Sequence, residues 1–346
     1  MIDLDFGAVP KPNWQTKSGW AAFVAEQLRE PAPMSRRDLE ALSEMERIEF
    51  CQRRLDFMMN GRISLTPDVK AIRDELRIRM IANIRKRGGK FGIIVDGVPN
   101  SGKSTTVTRL AKDFEIQRRA GGNPLGTTKL IPVMYVCAPS DCSPKTLLME
   151  FANFMGRPVR GRVTAGDLMK ALAENVERCG TELIVIDEIH NLRQDRQAAS
   201  DATNYLKQLS EKCPATFVYV GANVEGSGLL DGGWAAQVAT RFRIMTLEPY
   251  STTNQRDRNK WAALLEDLET NTKLVDQSPG DILEDAELLF DASNGRVGEV
   301  AGIIQLAAVE AMQAGSERLD FRRLRSSLDE ERRRRSRRGL ESSRRS

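Results

Sequence analysis

The chain of 346 residues contains a single histidine, His190, and five cysteines with no CxxC pair among them. Cys51, Cys137, Cys142, Cys179 and Cys213 are too scattered for a zinc cluster and read as reduced, mostly buried thiols. There is no run of about 18 apolar residues, which excludes a transmembrane helix. The opening Met-Ile-Asp-Leu-Asp-Phe lacks the basic and apolar regions of a signal peptide. The expectation is a cytoplasmic protein with no membrane partner. Internal repeats are also lacking. Charge of one sign is scarce except in one place. The formal net charge is +4, yet residues 331–346 hold eight Arg and two Glu, leaving 44 basic residues against 46 acidic in the rest. The high isoelectric point belongs to the tail and says little about the core.

What is present is concentrated in two motifs. Residues 97–104 read Gly-Val-Pro-Asn-Ser-Gly-Lys-Ser, the phosphate-binding pattern GxxxxGK[ST]. The apolar run Phe91–Asp96 before it has strand length, and Val107, Leu110, Ala111 and Phe114 after it recur at helical spacing. The loop thus joins a buried strand to a helix N-terminus, whose free amides and dipole favour phosphate. Gly97 and Gly102 permit turns and close approaches that a side chain blocks. Val98, Asn100, Ser101 and Thr105 complete the cradle with their backbone, and Pro99 fits only where no amide is needed. Lys103 would reach the β- and γ-phosphates of ATP, and the Ser104 hydroxyl would ligate Mg²⁺. The second motif is Leu183-Ile-Val-Ile-Asp-Glu188, a buried strand that delivers two adjacent carboxylates. Asp187 is placed to hold the Mg²⁺ shell and Glu188 to polarise an attacking water. A solvated acidic pair at the end of a core strand is the plainer alternative. His190, two residues on, either couples the site to a neighbouring element or serves the strand-to-helix turn.

A further apolar strand, Ile131–Cys137, lies between the motifs in the chain, and strands are expected at Thr216–Gly221 and Arg243–Leu247. Together these predict an α/β, three-layer αβα P-loop core with a parallel five-stranded sheet. An inserted strand with Glu directly after Asp marks the additional-strand ATPases, whereas kinase-like P-loop proteins more often set the two motif strands side by side. Four segments follow: a helical N-terminal extension over 1–65, suited to partner docking, the core over 66–248, a small all-helical lid domain over 249–328, and a basic, disordered tail over 329–346. Within them, helices are expected at Asp38–Met59, from Thr66 to about Arg87, at Ala199–Cys213, around Trp234–Thr240, and at Gln255–Leu268, Asp281–Ala292, Val297–Ala314 and Phe321–Arg335. A Gly-rich loop is expected at 226–233.

With Val-Ile-Asp-Glu-Ile-His-Asn-Leu at 185–192, Ala-Thr-Arg-Phe at 239–242 and Asn-Gly-Arg-Val-Gly-Glu-Val at 294–300, the chain resembles the AAA+ ATPases. It is similar in particular to the TniB/TnsC-like transposition ATPases, through Leu65-Thr-Pro67, Asp-Glu-Ile-His-Asn-Leu at 187–192 and the stretches 136–147 and 215–225. The resemblance covers roughly residues 65–325. It implies that Asn223 orients the lytic water, that Arg241 is an arginine finger supplied to a neighbouring subunit, with Arg243 as the competing choice, and that Arg296 contacts the γ-phosphate. Plainer alternatives are a turn residue, a surface ion pair and a helix-start charge. It further implies a homo-oligomer, a ring or helical filament around duplex DNA, that recruits an integrase-type transposase. Other DNA-associated AAA+ roles, such as a helicase loader or replication initiator, and an ATP-switched scaffold with negligible turnover are the alternatives.

A filament on DNA needs basic side chains for sequence-independent backbone contacts. Lys145, Arg157, Arg160 and Arg162 are candidates, as is the Arg-rich tail; the alternative for the first four is an ordinary solvated loop. No aromatics interleave them, so base stacking with single strands is not suggested. Deleting residues 331–346 is expected to weaken duplex binding and flatten its dependence on salt, measured as the slope of log affinity against log salt. An unchanged slope would assign the tail to another partner.

Overall fold

The computed structural model describes residues 13–122, 130–159, 161–192, 205–224, 226 and 240–330. These divide into two compact units: residues 13–27 with 65–248, and residues 28–64 with 249–330. The segment 1–65, read from the sequence as one extension, is shared between them.

The first unit is built on a parallel sheet of β1 (Gly92–Gly97), β2 (Val133–Cys137), β3 (Leu183–Asp187), β4 (Thr216–Val220) and β5 (Phe242–Leu247), in the order β2-β3-β4-β1-β5. Every strand lies within two residues of its sequence expectation: β1, β3 and β4 are apolar runs buried on both faces, whereas β5, at the sheet edge, is buried at its two ends and exposed at Arg243 and Thr246. β1 pairs with β4 on one side and β5 on the other, with Gly97 opposite Leu247. The two motif strands are therefore separated by one strand, as in the additional-strand arrangement. The separating strand is β4, and β2, which lies between the motifs in the chain, occupies the sheet edge.

Helices α1 (Lys17–Ala25), α4 (Pro67–Asn83), α5 (Lys103–Ala120), α6 (Pro144–Phe154) and α7 (Ala165–Arg178), with a helix over 205–212, clothe the sheet. Hydroxyl caps start four of them: Thr16, Thr66, Ser143 and Thr164 each accept a hydrogen bond from the amide three residues on. α1, α6 and α7 were not expected from the sequence. α4 ends at Asn83, short of the expected Arg87. The Asn83 side-chain amide pairs with both the N–H and the C=O of Phe91, at 2.8 Å each, which turns the chain back into β1. The expected helix around Trp234–Thr240 and most of the 226–233 loop lie outside the described residues.

The second unit is helical: α2 (Arg36–Ala41), α3 (Glu44–Asn60), α8 (Gln255–Thr272), a 3₁₀ turn at Asp281–Asp285, α9 (Ala286–Ser293), α10 (Val297–Ala314) and a helix over 322–330. The single helix expected over Asp38–Met59 is two. Ser43 caps α3 through a reciprocal pair with Glu46, and this local box overrides apolar spacing that runs continuously through it. The expected helix at Asp281–Ala292 opens as the 3₁₀ turn, where the buried Glu269 carboxylate accepts from the Gly280 and Ile282 amides at 2.6 and 2.8 Å. Gly295, second in the Asn294–Val300 stretch, stands at φ +71, and a side chain there would strike the Tyr250 carbonyl at 2.2 Å.

α3 is fastened to the C-terminal helices by a buried ion pair. Arg54 donates to the two Glu317 carboxylate oxygens at 2.5 and 3.0 Å, both side chains being essentially inaccessible. Glu317 also accepts from the Val275 amide, and the Arg54 guanidinium lies 4.5 Å from the centroid of the Phe50 ring. Cys51, Met58, Leu274, Ala308 and Met312 form the apolar cluster beside it. Removing one partner strands a buried charge. Glu317→Ala is therefore expected to lower stability by about 3–5 kcal/mol, read as a shift in the urea midpoint.

Candidate functional site

The phosphate-type loop leaves the end of β1, and its backbone carries the strain such a turn requires. Gly97 stands at φ +148, and a Cβ there would lie 2.6 Å from the Leu247 carbonyl oxygen and 2.8 Å from Ser101 Oγ. Asn100 (φ +63) and Gly102 (φ +88) are left-handed, and Gly102 is the N-cap of α5, with no side chain over the first amides. Lys103 is the first residue of α5 and folds back. Its ammonium donates to the carbonyls of Gly97 at 2.8 Å and Val98 at 2.7 Å, and makes no ion pair among the described residues. Burial pulls its pKa below the ordinary lysine value, against the carboxylates of Glu188, Asp96 and Asp187, which hold it up.

The carboxylate pair ends β3. Asp187 is buried, and its two oxygens have separate donors: the Glu188 amide at 2.8 Å and the Tyr135 phenol at 2.5 Å. The phenol is raised well above the ordinary tyrosine value by burial and then by Asp187, so it stays a proton donor. Cys137, opposite Asp187 in the register, is likewise pushed up, to about 12, by burial and then by the nearby carboxylates. Glu188 adopts a left-handed backbone (φ +57) and is half-exposed. Its Oε2 lies 3.1 Å from His190 Nε2. His190 Nδ1 accepts from the Ala222 amide at 3.2 Å, which leaves the ring proton on Nε2, facing Glu188.

Asn223 sits just past β4, exposed and left-handed at φ +51. The amides on either side of it are both held. Ala222 is held by His190, and Val224 by the buried Asp96 carboxylate at the end of β1, 3.1 Å from each oxygen. Asp96 also accepts from the Gly97 amide at 2.7 Å. The ends of β1, β3 and β4 are thereby tied together by side chains. Asp96 and Tyr135 had no assigned role in the sequence; a charged residue ending an apolar run was the one available signal. His190 serves both alternatives: it lies in the 3₁₀ turn Ile189–Asn191 that follows β3, and its ring reaches the Ala222 amide past β4.

The other candidates lie elsewhere. Arg241 precedes β5, whose register sets Phe242 opposite Gly92 and Leu247 opposite Gly97, so about 17 Å of strand separates it from its own loop. There its guanidinium pairs with Glu211 at 3.5 Å and packs on Gly89, while its carbonyl accepts from Arg79. Arg243 is exposed on β5. Arg296, in the helical unit, is the N-cap of α10 and pairs with Glu299 at 2.8 Å. Lys145 is exposed in the first turn of α6, whereas Arg157 and Arg162 are exposed beyond its other end, a helix of roughly 16 Å away. Arg160 lies outside the described residues, as does the tail over 331–346.

The residues present fit a phosphate chain with a metal beside it. Among the described residues, Ser101 Oγ is buried without a hydrogen-bond partner and the Lys103 ammonium rests on backbone oxygens alone, while the Gly97 turn is closed to any Cβ. Ser104 in the first turn of α5 and the Asp187 carboxylate supply hard oxygen donors, the set Mg²⁺ takes. Lys103→Ala is expected to abolish nucleotide binding, whereas Glu188→Gln retains it and loses turnover. Calorimetric titration and phosphate release check the two, and wild-type affinity in the first or wild-type turnover in the second removes the assigned residue.

Comparison with known proteins bears on the fold. Residues 85–230 match the family model described as AAA domain. No curated protein matches the chain. Among solved structures, the Aeropyrum pernix ORC1 protein in complex with DNA is similar at a TM-score of 0.57 and 17% identity, over 80% of this chain and 69% of that one. Cdc6p from Pyrobaculum aerophilum follows at 0.54 and 16%, over 76% and 67%. Drosophila ORC bound to DNA stands at 0.50 and 16%, over 88% and 69%. Likeness at such identities concerns the fold. The fold is the AAA+ P-loop fold, and residues 85–230 within it are similar to an AAA domain.

Proposed function

We propose that the chain hydrolyses ATP in an assembly of its own copies on duplex DNA. The observation that carries this is the division of the machinery between the two ends of the sheet. The loop Gly97–Thr105, Asp187, Glu188 and the Asn223 corner converge at the ends of β1, β3 and β4, while Arg241 stands at the far end of β5. A finger there serves a neighbour's nucleotide, so hydrolysis reports assembly.

In this reading the backbone amides of the loop and of the first turn of α5 bind the phosphates, and Lys103 leaves the carbonyls of Gly97 and Val98 for the phosphate oxygens. A magnesium ion held by Ser104 and Asp187 would offset the negative charge that builds on the phosphates. Glu188 takes the proton from the attacking water, with His190 Nε2–H holding its other face. Asn223 orients that water from its fixed corner, and Arg296 is the second sensor that the resemblance implies. An arginine finger is worth about 10³–10⁵-fold in rate in GTPases, so its arrival from a neighbour decides whether turnover occurs.

The finer role is regulation of DNA transposition with an integrase-type transposase, supported by the TniB/TnsC-like stretches at 65–67, 136–147, 187–192 and 215–225. A second reading, a replication-initiator-type ATPase, is favoured by the likeness to ORC1 and Cdc6p folds, the ORC1 and Drosophila ORC structures being described with DNA bound. In both, Lys145, Arg157, Arg162 and the tail are the candidates for phosphate contacts. The test is complementation on duplex DNA. Arg241→Ala and Lys103→Ala are each expected to be inactive alone, and mixing them should restore part of the phosphate release, because one copy then supplies the finger and the other the nucleotide. A mixture as inactive as its components would sink the assembly reading.

A further inference from the structure

Tyr135 and the aromatic segment before α1 are not absorbed by the loop-and-carboxylate account. Tyr135 lies on the edge strand β2, its ring buried and its hydroxyl spent on Asp187 Oδ2 at 2.5 Å. Because Glu188 N–H takes Oδ1, the carboxylate is gripped at both oxygens, and each keeps a lone pair for another partner. Two indoles stack on the Tyr135 ring: Trp14 with centroids 5.2 Å apart and planes at 20°, and Trp20 at 5.6 Å and 16°. Phe23 closes the cluster edgewise against Trp14.

This N-terminal segment is docked by specific polar contacts as well as by packing. Trp20 Nε1 donates to the buried Glu115 carboxylate of α5 at 2.7 Å. Lys112, one turn earlier on α5, places its ammonium 4.3 Å from the Phe23 ring centroid and donates to the Glu26 carbonyl that ends α1. A core that only needed filling would not place a phenol–carboxylate bond at the end of an aromatic stack. The geometry instead forms one continuous path, from α5 and α1 through the indoles and the phenol to the carboxylate ending β3.

We propose that Tyr135 is the positioning residue for Asp187, and that docking of the Trp14–Phe23 segment sets the carboxylate through it. The inference rests on the nucleotide reading of the site. Phenol and indoles touch neither phosphate nor metal; they fix which way the Asp187 oxygens face. Removing the hydroxyl frees the carboxylate to rotate and leaves Oδ2 without its donor, while the phosphate cradle of Gly97–Ser104 is untouched.

The test uses the full chain and a non-hydrolysable ATP analogue, with affinity measured in EDTA and across a magnesium titration. Tyr135→Phe keeps the stacked ring. It is expected to leave the metal-free affinity unchanged and to raise the magnesium needed for half-maximal tightening by roughly tenfold, the cost of losing a second-layer partner at a metal site. Trp14→Ala, at a partly exposed position that leaves Tyr135 and Asp187 intact, is expected to shift the titration the same way by less. It decides the matter should Tyr135→Phe fail to fold. A Tyr135→Phe titration that superimposes on wild type, or an equal loss of affinity in EDTA, overturns the role of Tyr135. An unmoved Trp14→Ala curve overturns the role of the segment. If wild type itself shows no magnesium-dependent binding, the nucleotide reading falls and the inference with it, an outcome separate from the other two.

Discussion

The close approach of the Gly97 backbone to the Leu247 carbonyl governs the sheet unit. β1 is buried on both faces and paired on both edges, so its end has no freedom to move sideways. The chain must leave it through a turn that passes within Cβ distance of β5 and of Ser101. Only a residue without a side chain does this, and at φ +148 only glycine does so without strain. That turn aims the loop across the strand ends, sets Gly102 as the N-cap of α5, and puts Lys103 back over the carbonyls of Gly97 and Val98. The start of α5 and the Asp187 carboxylate thus both stand at the C-terminal ends of the strands. A parallel sheet gathers all its strand ends on one edge, which is why one constrained turn organises groups from four separate strands.

A second layer of side chains keeps those strand ends in register. Asp96 ties β1 to the corner after β4, His190 ties Glu188 to the same corner, and Tyr135 ties β2 to Asp187. Each is a buried or half-buried polar group fully occupied by a partner, as a low-dielectric interior demands. Asn100, Glu188 and Asn223 are left-handed without being glycine, and all three belong to this edge. Strain of that kind persists where the surroundings hold it, and here the surroundings are these ties.

The helical unit depends on a different device. It combines residues 28–64 with the C-terminal helices, two parts of the chain some two hundred residues apart. The Arg54–Glu317 pair and the Cys51–Met312 cluster join them. Burying both charges costs desolvation, and the bidentate geometry with the Val275 amide offsets it. The carboxylate that receives α3 belongs to a residue that itself takes a left-handed turn, Glu317 at φ +52.

Much of this was legible in the sequence, and for local reasons. Strands show as short apolar runs because a sheet covered on both faces admits little else. The loop shows as a motif because its residues are consecutive and each has a backbone or phosphate duty. α10 shows at its full extent, Val297–Ala314, because Asn294-Gly295 marks its start and Gly315 its end. Even the break at Ser43 was written locally, as a capping box, and was masked only by apolar spacing running through it. Tertiary structure alone decided what joins distant parts: that β4 rather than β2 parts the motif strands, that Asp96 and His190 share one corner, that Tyr135 grips Asp187 beneath two tryptophans, and that Arg241 faces away from its own loop. These depend on strand order and register, which the folded chain settles through packing between residues that sequence spacing does not relate.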